Sequence, residues 1–394
     1  MPVNDYSSVW FDTFLRTYWP HQTEKELDFL ARHLPPPSYR TLLDVCCGPG
    51  RHALPLAALL APAWAIPGPW CLTPLAGGTN NRVYHVVTPV PSDAYVLRVY
   101  ENHTDAARLR YESAILAALV DQHLPFAVPA PILTRSGELF ARLPDAAGRE
   151  ALATLTPFFP GDHPNPGDPA RTEAAGHALA TLDVALARVT LPAEIAATAP
   201  PPMGQLRRRL GLAPDGDPLA PLAALGIPNA DRARLAALLH DVEREMPALY
   251  AALPQQLIHS DYDPGNVLME GTRVTAILDF EFAGPDLRVA ELAAPLTWWP
   301  AHFLGTGREW DVIAAFGRGY ASVLPPTPTE LDAIPALLRL RAIGSLLHRL
   351  ARYQQGLSSA ESILARVAYA LERDAWLAAN RDHLLDVVRG WHEI

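Results

Sequence analysis

Residues 257–282, LIHSDYDPGNVLMEGTRVTAILDFEF, consist of short apolar runs set around polar loops. The first run, Leu257 and Ile258, leads into His259 and Asp261. Asn266 follows five residues after Asp261, beyond the turn Pro264-Gly265, and the run from Val274 to Leu278 ends on Asp279. This order predicts metal- or proton-competent side chains at the ends of adjacent short strands. Ordinary turn chemistry accounts for Pro264 and Gly265, and for Asp261 or Asn266 taken singly. It does not account for His259, Asp261, Asn266 and Asp279 together, in the spacing HxDxxxxN with an Asp thirteen residues further on.

Upstream, the periodicity is that of a sheet. Apolar residues alternate over 82–88 and 94–100, strand-like pieces recur near 138–143 and 150–158, and a helical pattern fills 104–120 between them. After the loop FFPGDHPNPGDP the chain turns mostly helical. Leu179, Leu182, Leu186 and Val189 fall at helical spacing, as do Leu340, Ile343, Leu347 and Leu350. Proline-rich stretches at 191–203 and 213–229 predict surface loops or a local insertion. Two charges are conspicuous. In AYVLRVY, Arg98 shares a strand face with Val96 and Tyr100, where its neighbours are apolar. In the following helix Glu112 lies on the stripe formed by Leu109, Leu116 and Leu119, where a charge is costly unless it is paired or reaches solvent.

Composition removes several kinds of function. The 394 residues predict two or three domains, and of the 32 basic residues only Lys25 is a lysine. Lys25 has no glycine near it, which excludes a Walker A loop, and its polar surroundings exclude a buried Schiff-base lysine. A net charge of -10 argues against a nucleic acid or an anionic membrane as partner and favours a small-molecule substrate, a cationic one suiting an acidic protein best. Cys46, Cys47 and Cys71 form neither a disulfide framework nor a zinc site, so a reducing cytoplasm is expected. No signal peptide is read at the N-terminus. Residues 53–72 are free of charge, but Pro55, Pro62, Pro67, Gly68 and Pro69 predict a short helix and a stiff connector rather than a membrane span.

The spacing around Asp261 resembles the catalytic and metal-binding loops of the protein-kinase-like superfamily, in particular the aminoglycoside phosphotransferase and choline kinase branch, in which Asp279-Phe280-Glu281 would stand for the kinase D-F-G. The likeness covers roughly residues 70–355. It implies an α+β, bilobal protein-kinase-like fold, with a small β-rich lobe at 70–158 that binds ATP and a larger, mainly helical lobe at 159–394 that carries the catalytic loop and the substrate site. It further implies that Asp261 is the base, that Asn266 and Asp279 hold Mg²⁺ with Glu281 as a second contact, and that His259 braces the loop. PLAGGTNNRVYHVV, residues 74–87, resembles the nucleotide-binding loop of that family, which assigns Gly77, Gly78, Thr79 and Asn80 to ATP. Arg98 and Glu112 would be the counterpart of the strand-lysine to helix-glutamate ion pair. Arg stands where most kinases carry Lys, and a planar fork is not a point charge. Phe158 and Phe159 line either the adenine pocket or the core. Trp298, Trp299 and Asp263 are candidates for the acceptor side. The implied reaction is Mg²⁺- and ATP-dependent phosphorylation of a hydroxyl on an amino sugar, an amino alcohol or homoserine. A catalytically silent nucleotide- or metabolite-binding protein is the alternative.

At the N-terminus, residues 41–53, TLLDVCCGPGRHA, resemble the first motif of class I S-adenosylmethionine methyltransferases, with Asp44, Gly48 and Gly50 in register. A complete fold of that kind needs an acidic residue at the end of the next strand, and no Asp or Glu occurs from Val45 to Ser92. Residues 1–65 are therefore expected to be a truncated fragment, a short helical and βα appendage without methyltransferase activity.

Overall fold

The period-two runs pair into a five-stranded antiparallel sheet of order β1-β2-β3-β5-β4, with β1 Cys71–Pro74, β2 Arg82–Val87, β3 Ala94–Tyr100, β4 Ala141–Pro144 and β5 Glu150–Pro157. The computed structural model describes residues 63–66, 70–75, 81–88, 94–100, 105–144, 150–213 and 216–392. Nearly all of the methyltransferase-like stretch 1–65, and the glycine loop with Gly77, Gly78, Thr79 and Asn80, lie outside the described residues. One face of the sheet buries Tyr84, Val86, Leu97, Val99, Ala153 and Leu155 against Trp64 and Trp70. Alternation sends Arg98 to the other face, where β3 pairs Arg98 with Val83 of β2 and Thr154 of β5.

Helix α1, Ala106–Val120, lies between β3 and β4 in the chain. Asp105 caps it by accepting from the N–H groups of Ala107 and Arg108, which satisfies two of the donors that a helix start leaves free. The helical pattern at 104–120 thus holds. Glu112 is buried beside Leu109 and Leu116.

The larger part begins with α2, Pro169–Leu186, and includes the short helices α3 Ala193–Ala196, α4 Leu206–Arg209 and α5 Pro221–Ala224, then α6 Asn229–Ala252. Four short strands follow, paired β6 Gln255–Ile258 with β9 Gly284–Leu287 and β7 Val267–Glu270 with β8 Arg273–Ile277. Helices α7 Ala293–Trp298, α8 Glu309–Ala321, α9 Pro328–Gln354 and α10 Ala360–Arg389 complete it. Among the described residues no helix is long and apolar enough to cross a membrane.

The described residues of the proline-rich stretch 213–229 are mostly exposed, as expected of a surface loop or local insertion, and hold the short helix α5. Leu219, Leu222 and Ile227 anchor the stretch in the main core. Trp299 is corrected. It has no exposed surface and stacks on Tyr262 at 6.3 Å, so it packs the core and does not face an acceptor.

Helices α2 and α8 cross almost backbone to backbone. A Cβ on Gly319 would lie 1.8 Å from the Glu173 carbonyl oxygen, and one on Gly176 would lie 2.0 Å from that of Phe316. The crossing matters for the site, because Tyr262, next to Asp261, donates its hydroxyl to Ala175 O of α2 at 2.9 Å. Gly319→Ala is expected to lower stability by about 3 kcal/mol or more, since neither backbone can yield a side chain's width, and the loss reads directly as a lower urea midpoint.

Candidate active site

The loop after β6 is built from buried polar contacts. Glu291, in the 3₁₀ turn Arg288–Leu292, turns its carboxylate onto the backbone N–H groups of His259 and Ser260. Those donors have no strand partner, and a buried N–H without an acceptor costs about 1–3 kcal/mol. Ser260 stands at φ 71°, in the left-handed region, and Asp279 at φ 60°. Such residues persist where their surroundings over-determine them. Around Ser260 this is done by Glu291 on its N–H and by Arg341, which donates to its carbonyl at 2.5 Å. Glu291 and the nearby Asp183 are both buried, and burial raises both carboxyls above their usual range; Tyr320 donates its hydroxyl to Asp183 at 2.7 Å.

His259 ties this loop to the metal-binding candidate. Its Nδ1 accepts from the N–H of Asp261 at 3.2 Å and its Nε2 donates to Leu278 O at 2.9 Å, one residue before Asp279. Burial pushes its pKa down, which keeps the ring neutral and able to accept and donate at once. The Asn266 amide donates to Asp261 O at 2.8 Å, while the Leu278 N–H donates to Asn266 O at 2.8 Å. Asp263 accepts through Oδ1 from the N–H groups of Gly265 and Asn266, and so closes the turn. Burial, and then Asp261, raise its pKa to about 6.

Each of the two carboxylates at the strand ends meets an arginine. Arg341 of α9 donates to Asp261 Oδ1, with only 13% and 21% of the two side chains exposed. Arg98 of β3 donates to Asp279 Oδ1 at 3.4 Å. The ion pair expected between Arg98 and Glu112 is therefore corrected. Asp279 at the strand end takes the guanidinium's hydrogen bond, and Glu112 remains a buried carboxyl neighbour without a direct bond to it. Arg108 of α1 donates to the Glu281 carbonyl at 3.0 Å, joining the sheet-bearing part to the same loop.

Three carboxyls around one arginine have a pH signature. Burial raises Glu112 from 4.5 to about 7; Arg98 opposes this, and Asp279 and Glu281 reinforce it. Between those values the folded chain keeps a proton that the unfolded chain has released, so stability falls as pH rises through that window. Glu112→Gln removes the loss. In ligand-free protein its melting temperature should match the parent near pH 5 and exceed it at pH 8, where the gain approaches about 3 kcal/mol.

Sequence reasoning missed Arg341 and Glu291. Glu291 left a signal, a lone carboxylate in the otherwise apolar run 289–296. Arg341 left none, because an arginine beside a leucine stripe reads as a solvated helix face. Phe158 is 37% exposed with its ring 4.4 Å from that of His85, and Trp298 stacks on Tyr369 at 5.5 Å.

As a metal site, the loop offers hard oxygen donors. The Asp279 side chain is 30% exposed, and Asn266 spends its Nδ2 on Asp261 O, which leaves the amide oxygen for another partner. Among the described residues no group of three or more His, Cys, Asp or Glu forms a cage. This donor set fits Mg²⁺, which takes one or two protein oxygens and fills its octahedron from phosphates and water.

A model described as "Phosphotransferase enzyme family" matches residues 72–334. The homoserine kinase of Brucella canis is 30% identical over 280 residues, 70% of this chain and 77% of that protein. In fold, the chain resembles a microcompartment-associated aminopropanol kinase, with a TM-score of 0.66 at 19% identity, covering 84% of this chain and 98% of that one. It also resembles an amicoumacin kinase solved with AMP-PNP, Ca²⁺ and Ami, with a TM-score of 0.59 at 16% identity, covering 81% and 92%.

Proposed function

Because this chain belongs to the phosphotransferase enzyme family, we propose that it moves the γ-phosphoryl group of Mg²⁺-ATP to a hydroxyl of a small amino alcohol or homoserine-like acceptor. An amino sugar is a less favoured acceptor, since the relatives reported above include a homoserine kinase and an aminopropanol kinase. The observation that carries the reading is the Asp261 carboxylate, fixed by Arg341 on a loop that also carries Asn266 and is tied through His259 to the residue before Asp279.

In this reading Asp261 orients the acceptor hydroxyl and takes its proton as the acceptor oxygen bonds to the γ-phosphorus and the bond to the β-phosphate oxygen breaks, releasing ADP. Arg341 holds the base in one orientation, and neutral His259 holds the backbone of the base. Asn266 and Asp279 would hold Mg²⁺, with Glu281 as a further contact. Bound there, the ion would neutralise charge on the phosphate oxygens. Arg98 would meet the phosphates from β3, with Glu112 and the glycine loop bearing Gly77, Gly78, Thr79 and Asn80 on the nucleotide side.

A silent nucleotide-binding protein is the second reading, favoured by the bond that Arg98 makes to Asp279. The test is a titration followed by an assay. Millimolar Mg²⁺-ATP should raise the melting temperature, since a ligand of the native state stabilises it, and the absence of any rise would sink both readings. Transfer of ³²P to an acceptor on a hydroxyl panel separates the kinase from the silent binder.

A further inference from the structure

The acidic loops face a wall of arginine. On α9, Arg341, Ser345, His348 and Arg352 recur at steps of four, three and four residues and share one face, which spans about 16 Å from Arg341 to Arg352. Arg341 touches Asp261, and the His348 ring stands edge-on to Phe282 at 5.8 Å. Arg108 covers the same Phe282 ring at 5.9 Å. On α10, Arg366 lies over the rings of Trp298 at 5.2 Å and Tyr369 at 5.7 Å.

These cations are poorly matched by acids. Arg352 is only 5% exposed, and its Nε has no hydrogen-bond partner among the described residues. Burial and then Arg349 depress both Arg352 and Arg366. The field is strong enough to reach His348, which burial and then Arg352, Arg349, Arg108 and Arg209 push down to about 4, so the ring is neutral at pH 7. In a chain of net charge -10, one cluster of mutually repelling guanidiniums runs against the overall balance. A buried unpaired cation is strongly unfavourable, and arginine forks are suited to carboxylate and phosphate oxygens.

We infer that the acceptor carries an anionic group, a carboxylate or a phosphate monoester, and that Arg366, with Arg341, holds it beside the hydroxyl that faces Asp261. The inference rests on the phosphotransferase reading and reverses the preference for a cationic substrate drawn from net charge. Specificity is set by the local field, which the total charge does not describe.

The test uses the full chain with Mg²⁺-ATP and four acceptors: L-homoserine, 3-aminopropan-1-ol, which lacks the carboxylate, 3-hydroxypropyl phosphate, and a polycationic amino sugar. One of the two anionic compounds should exceed 3-aminopropan-1-ol in kcat/KM by about a hundredfold, and which one it is separates carboxylate from phosphate. Arg366→Gln should raise KM for that acceptor about thirtyfold, leaving kcat and the KM for ATP within about threefold. Preference for 3-aminopropan-1-ol or the amino sugar overturns the inference. So does a rise in the KM for ATP in place of the acceptor's, which would give the wall to the nucleotide phosphates. Thermal shift supplies a readout without turnover. If Mg²⁺-ATP raises the melting temperature and neither homoserine nor 3-hydroxypropyl phosphate adds to it, the anion site fails while the nucleotide-binding half of the kinase reading stands. If instead the anions stabilise the parent, less so Arg366→Gln, and Mg²⁺-ATP does nothing, the anion site stands and the kinase reading fails.

Discussion

Asp261→Asn is expected to lower kcat by about 10²- to 10⁴-fold while the melting-temperature rise with Mg²⁺-ATP stays in place. The substitution is close to isosteric, and the Asn oxygen can still accept from Arg341, so the loop keeps its anchor. Only the capacity to accept a proton is lost. Arg341→Met makes the complementary change. It leaves the carboxylate but frees it to rotate, and it removes the donor to Ser260 O, so a fall in kcat should come with a loss of stability. A kcat for Asp261→Asn within tenfold of the parent would show that the base lies elsewhere.

What the sequence made legible was local. His259, Asp261, Asn266 and Asp279 fall within 21 residues, and a strand-turn-strand segment that short leaves little freedom in where its ends meet. Period-two alternation assigned Arg98 to its face of β3, and the 3.6 period put Glu112 on the buried stripe of α1. Neither period says which of several nearby carboxyls binds the guanidinium. That is decided by distances between elements, and Asp279 is nearer than Glu112. Arg341 lies 80 residues beyond Asp261, so its contact depends on how α9 packs. The strands β1 and β9 were unread because each is four residues long and holds a proline. Trp299 entered the list of acceptor candidates by chain position alone, a property that carries no information about burial.

A common design emerges from the two ion pairs. Each strand-end carboxylate is held by an arginine from a distant element, Asp261 by α9 and Asp279 by β3. In both cases the cation orients the carboxylate, whereas a solvated carboxylate would sample several rotamers. The pairs differ in what surrounds them. Arg341 belongs to a cationic wall in which other guanidiniums compete for anions, while Arg98 is the counter-ion to Asp279, Glu112 and Glu281 together.

That difference makes Arg98 the more informative position to vary. Burial by itself would lower the Arg98 pKa, yet Asp279, Tyr100, Glu112 and Glu281 outweigh it and raise it, so the guanidinium stays charged at any accessible pH. Arg98→Met leaves Asp279 without its arginine and Glu112 with Arg108 as its remaining cationic neighbour, and removing one partner of such a buried group costs about 3–5 kcal/mol. Arg98 is also the main influence holding the Glu112 pKa down against burial. In the variant Glu112 therefore titrates still higher, and the stability deficit grows as pH rises from about 5 to 8. Arg98→Met/Glu112→Gln should recover part of that deficit at pH 8 and almost none at pH 5, which a merely steric effect of Met would not do. If Arg98 meets the phosphates as proposed, the same substitution should weaken Mg²⁺-ATP binding about a hundredfold. Arg98→Lys restores a charge as a point rather than a fork, so most of the stability returns. If the KM for ATP returns with it, charge is what the position supplies to the phosphates; if stability returns alone, the planar fork is required.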